Sequence, residues 1–220
     1  MYNLMIGHSF EDRFENPLQN LKPREGDNPA AAADWSVREL LRDAQPEAFA
    51  IRTDSEGADN SSRAIRGMRE LRPGEWEKLS IKDKSEWLIK VHQHIAEQYG
   101  FQPYTVGVQR LPANIGGYFN AGLRMIVLNE SILNDASPTR ALNAIAHETR
   151  HGFQWHAVTN PDKIPADVRD KVAVWRDNFA NYKNPAVHGY RAYYNQPVEV
   201  DARAFAETIV KQSLGAAAGS

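Results

Sequence analysis

The 220-residue chain has no cysteine. That excludes disulfides and thiolate-ligated metal sites, and it fits a reducing compartment. Neither sign of charge is in excess: 26 Lys and Arg stand against 28 Asp and Glu, a net of −2 without a basic stripe. A nucleic-acid partner is therefore not expected. Long apolar runs are also missing. No stretch approaches the roughly 20 residues of a membrane span, so no membrane insertion is expected. The first ten residues lack the basic flank and apolar run of a cleaved signal. The expected location is cytoplasmic, or external after export by a dedicated secretion system without a cleaved signal. Internal repeats are absent too.

What is present is enough apolar residue, 42%, to bury one proper core. Residues 1–33 are polar, carry Pro17, Pro23 and Pro29, and read as loop. Residues 34–43 read as a short helix. Residues 52–64, rich in Ser, Asp, Asn and Gly, read as a loop or linker, and Pro73 to Leu79 as one helical turn. Residues 80–99 have apolar positions close to the helical period, and Gly100 stops them. His92 and His94, two apart on that helix, cannot share a face and read as surface or interface residues. The period then switches to that of strands. Residues 104–111 read as a strand, and residues 116–120 and 124–128 as a hairpin across Ala121 and Gly122. Residues 138–155, 165–182 and 197–214 read as helices.

The most specific feature is His147-Glu148-Thr149-Arg150-His151, an H-E-x-x-H run. Ser137-Pro138 is a helix-start signal, and Ala141, Leu142, Ile145 and Ala146 form an apolar stripe leading into the motif. Residues four apart lie one turn above each other, so both imidazoles can grip one zinc ion. Glu148, turned about 100° away, can take a proton from a water polarised by the metal. Arg150 is charged where zinc-peptidase helices mostly carry uncharged residues. It is expected to pair with a buried carboxylate.

A catalytic zinc site takes three protein ligands. His156 is a poor third, because on a continued helix it faces about 180° from His147. The stretch Gln196-Pro197-Val198-Glu199-Val200-Asp201-Ala202 starts a second helix and carries two candidate carboxylates, Glu199 and Asp201. Glu199 is preferred. Small Ala202 and Ala206 permit close helix–helix approach.

These two helices resemble those of the gluzincin division of the zincin metallopeptidases. The E-x-x-A-x-x-F-A of Glu199, Ala202, Phe205 and Ala206 is similar to the second-ligand helix of the CAAX-prenyl and heat-shock membrane endopeptidases. The pairing of both motifs looks like soluble metallopeptidase domains of bacterial toxins and effectors. The resemblance covers roughly residues 100–210. It implies an α+β fold, mainly helical and zincin-like, with a small antiparallel sheet before the metal helix. The implied division is an N-terminal segment 1–78, a metallopeptidase domain 79–214 and a flexible tail 215–220.

It further implies Zn2+ held by His147, His151 and Glu199, with Glu148 as general base and acid. The substrate would be a protein or peptide, cut internally rather than at a terminus, with residues 116–120 as the sheet edge that binds its backbone. The second oxyanion donor is sought among His188, Tyr190, Tyr193 and Tyr194, and Tyr193 is chosen by position. One departure stands out. Gluzincins often carry Asp four residues after the ligand Glu, where this chain has Arg203. Arg150, Arg203 and Asp201 are therefore expected to form one supporting arrangement. The alternative function is a non-catalytic, zinc-stabilised binding module. Oligomeric state is left open.

Overall fold

The computed structural model describes residues 52–72 and 74–215. The loop read at 1–33, the helix at 34–43 and the tail beyond 215 lie outside the described residues.

Helix α1, Asp54–Arg66, stands where a linker was expected. Thr53 and Glu56 close a capping box across its first turn. Its buried face is made of Gly57, Ala58, Ser61, Ser62 and Ile65. The segment is polar overall and this face is mostly small residues, so it reads as loop although its two faces differ. The small residues serve close approach: a Cβ on Gly57 would lie 2.8 Å from the Tyr99 ring.

Helix α2, Ile81–Gln98, begins at a second capping box, Ser80 with Asp83, and buries Trp87, Leu88, Val91 and Ile95. His92 is fully buried on it, against expectation. Its Nε2 accepts the Tyr104 backbone N–H at 2.8 Å. Its Nδ1 therefore donates to the Thr149 hydroxyl, also at 2.8 Å. One imidazole thus ties α2 to the motif helix and to the start of the sheet.

The sheet has strands β1 (Thr105–Gln109), β2 (Gly117–Asn120) and β3 (Met125–Asn129) in the order β1-β3-β2. The β2–β3 hairpin is antiparallel as expected. β1 pairs with β3 in parallel, so the sheet is mixed rather than antiparallel throughout. The reason lies in the connection. The Asn129 amide donates to the carbonyls of Leu111, Pro112 and Ile115 and so holds the loop that carries the chain across the end of β3. β2 can then run back along the free side of β3.

Helix α3, Thr139–Thr159, carries the H-E-x-x-H run. Helices α4 (Arg169–Ala180), the short α5 (Pro185–His188) and α6 (Tyr190–Tyr194), and α7 (Pro197–Leu214) follow. The core lies where α3 meets α7, α2 and the sheet: Leu142, Ile145, Phe153, Val198, Ile209, Leu88, Ile126 and Leu128 are all buried. Ala202 and Ala206 are fully buried, which lets α7 lie close along α3. The fold is α+β and mainly helical. Among the described residues no helix is long and apolar enough to cross a membrane.

Candidate metal centre

The helical repeat puts His147 and His151 on one face of α3, with their Nε2 atoms 3.1 Å apart and their rings nearly perpendicular. Glu199 enters from the first turn of α7. Its Oε2 lies 3.3 Å from His147 Nε2 and its Oε1 3.5 Å from His151 Nε2. Glu199 is 2% exposed. Among the described residues these three form the one His/Asp/Glu group whose ligand atoms converge this closely, and they can hold a metal ion.

The start of α7 is set by partners that the sequence does not advertise. Gln196 caps without a side-chain bond, and Pro197 has no N–H to satisfy. Asn178 on α4 accepts the Val198 N–H at 2.9 Å and donates to Gln196 Oε1 at 2.9 Å. This buried pair fixes the turn from which Glu199 projects.

The donor set fits a cation on an observation independent of any family. His151 Nδ1 lies 2.9 Å from Gln154 Oε1. With that nitrogen donating, a neutral His151 turns a bare lone pair on Nε2 toward His147 and a carboxylate. Acceptors converging in a buried space need a proton or a metal between them. Without metal the site takes up a proton: burial opposes it, but Glu199 raises His151 to about 9. Burial alone would also raise the Glu199 carboxyl, yet the His151 and His147 rings hold it well below its ordinary value.

Glu148 is buried beside this group, and burial raises its carboxyl above the ordinary range against the pull of His147 and His151. It sits at the open edge of β2. The Asn129 N–H donates to Gly116 O, and Tyr118 faces Val127 across the hairpin. The alternation of an antiparallel pair then turns the N–H and C=O of Gly117 and Phe119 away from β3. The Phe119 N–H reaches Glu148. Gly117 is required here, because a Cβ would meet Val127 O at 2.8 Å and Glu148 Cγ at 3.4 Å.

Of the aromatic candidates, Tyr193 lies beside the centre, where its ring packs on Tyr182 and its phenol feels the Glu199 charge. Tyr190 and His188 are exposed, and Tyr194 stacks under Arg203 at 3.5 Å. Tyr182 was missed from the sequence. Its hydroxyl donates to Glu199 Oε1 at 2.7 Å, and its ring packs edge-on against Tyr193. Burial first, then the Glu199 charge, pushes both phenols far above their ordinary values.

Asp201 does not join this group. Its carboxylate accepts from Arg150 Nε at 2.7 Å, from Arg150 Nη2 at 3.1 Å, from Gln154 at 2.9 Å and from Lys171 at 3.2 Å. Arg150 is paired with carboxylates as expected, though these are only partly buried, and the second partner is Asp54 of α1 at 2.6 and 2.9 Å. The guanidinium sits among the rings of Tyr99, Phe153, Trp175 and Phe205 at 5.0–5.6 Å. Arg203 does not join this arrangement; it donates to Tyr194 O at 2.6 Å instead. His156 stands apart from the centre and stacks on Phe101. No family model, curated protein or solved structure matches this chain.

Proposed function

We propose that the chain is a zinc-dependent metallopeptidase. The observation that carries this reading is the convergence of His147, His151 and Glu199 beside a buried Glu148 at an open strand edge. Two imidazoles and a carboxylate are the donor set of a catalytic zinc site, which leaves one position open. A structural site would close it with a fourth protein ligand. When bound, zinc supplies Lewis-acid polarisation of the scissile carbonyl and of a water.

The remaining work falls to the chain's own side chains. An extended peptide laid along β2 pairs its backbone with Gly117 and with the Phe119 carbonyl, in the manner of strand addition. This mode reads main chain rather than a terminus, which favours an endopeptidase. Glu148 accepts the proton of the attacking water and returns it to the leaving amine. Its raised carboxyl suits a group that must hold the proton between those steps. Tyr193 offers a hydroxyl to the developing oxyanion. Tyr182 holds Glu199 in place. The resemblance to soluble toxin and effector domains extends the proposal to a protein target of narrow range, met in the cytoplasm or after signal-independent export.

The test is metal analysis combined with proteome-wide cleavage mapping. Glu148→Gln is expected to keep one zinc per chain and to lower cleavage by about 10²–10⁴-fold. Glu199→Ala is expected to lose stoichiometric zinc. Stoichiometric zinc in the second variant sinks the ligand set, and full cleavage in the first sinks the catalytic role.

A further inference from the structure

We infer that Gln154 is a positioning residue that presets the metal-ready tautomer of His151, and that Asp201 holds the amide that does so; the inference rests on the metal reading of the site. A carboxamide donates from nitrogen and accepts at oxygen. Gln154 Nε2 lies 2.9 Å from the Val198 carbonyl and 2.9 Å from Asp201 Oδ2, two groups that only accept. A flipped amide would press its oxygen against both, so the hydrogen-bond network decides the orientation. Oε1 is left facing His151 Nδ1 at 2.9 Å, and that nitrogen must donate. The lone pair of the neutral ring is then on Nε2, the atom turned toward His147 and Glu199.

Asp201 is itself held. Arg150 grips it through two nitrogens and Lys171 through a third. The relay therefore starts and ends on α3: Arg150 fixes Asp201, Asp201 fixes Gln154, and Gln154 fixes His151. Asp54 supplies an internal control. It grips the same guanidinium from the other side, through Arg150 and Lys171 rather than through Gln154.

The experiment uses the full chain and the variants Gln154→Leu, Asp201→Asn and Asp54→Asn. Zinc affinity is read by competition with a chromogenic chelator, stability by thermal unfolding, and the His151 tautomer from imidazole 15N shifts of the metal-free protein at alkaline pH. Gln154→Leu is expected to weaken zinc binding by about 10–100-fold and to shift His151 toward the Nε2–H tautomer. Asp201→Asn weakens zinc binding in the same direction. Asp54→Asn lowers the melting temperature but keeps the wild-type affinity. Wild-type affinity in Gln154→Leu overturns the inference, as does an equal loss in Asp54→Asn and Asp201→Asn. Should the wild type bind no zinc, the metal reading falls and the 15N shifts still decide. An Nε2–H ring in the wild type overturns the positioning role, and an Nδ1–H ring that Gln154→Leu abolishes supports it.

Discussion

Helix α3 buries charge on two sides, and the two sides solve the problem differently. Around Arg150, two cations meet two carboxylates: Arg150 and Lys171 against Asp54 and Asp201, every contact between 2.6 and 3.2 Å. That cluster is neutral and complete as it stands. Around His147 and His151, two imidazoles face Glu199, with Glu148 alongside. That group balances only with protons on the rings or with a divalent cation. A complete buried ion cluster serves architecture, whereas an incomplete one has a place for something else. Gln154 and Asp201 join the two, so the finished side can orient the unfinished one.

The largest expected effect breaks the finished side. Arg150→Met leaves the partly buried Asp54 and Asp201 with only the half-exposed Lys171 as partner and removes the one fully buried member of the cluster. The expected loss is about 3–5 kcal/mol in urea-induced unfolding.

Next comes pH, which separates two buried histidines by sign in the metal-free protein. Burial lowers His92 from an ordinary 6.5 to about 4, so the fold favours its neutral form. Its stabilisation is complete above pH 6.5 and is lost as pH falls toward 4, roughly 3 kcal/mol in all. His151, raised to about 9 by Glu199 against burial, behaves oppositely. Its contribution is present below pH 6.5 and is lost as pH rises through 9. Stability of the zinc-free chain is expected to peak near pH 6.5, and a monotonic profile from chemical denaturation would contradict this.

Zinc itself should move stability less. At a free concentration 100 times Kd it adds about 2.7 kcal/mol, removable with a chelator and visible as a drop in melting temperature. The smallest effect concerns how α1 brings Asp54 to Arg150. Gly57→Ala forces a methyl against Tyr99 and is expected to cost about 1 kcal/mol. Zinc affinity by chelator competition should not change.

Much of this was legible before any coordinates. Helices α3 and α7 follow from apolar periodicity and from Ser137-Pro138 and Gln196-Pro197, since both signals are local. A carboxylate from the second helix, Glu199 or Asp201, and the Arg150–carboxylate pairing also followed, because a buried helix must compensate what it carries. α1 was read as loop because its packed face is mostly Gly, Ala and Ser, although the Thr53–Glu56 capping signal stood at its start. His92 reads as a surface residue until Tyr104 and Thr149 are seen on either side of its ring. Tyr182 and Gln154 matter through neighbours 17 and 47 residues away.

By itself, then, the sequence determined the two site helices, the pair of imidazoles one turn apart and a carboxylate able to join them, because 3.6 residues per turn is a property of the local chain. The tertiary structure alone decided that Glu199 rather than Asp201 meets the histidines, that Tyr193 rather than Tyr190 or Tyr194 packs on the Tyr182 that bonds Glu199, and that β1 runs parallel to β3. Each of these depends on which surfaces lie against each other once the core has closed, and no residue's own chemistry encodes the position of a distant neighbour.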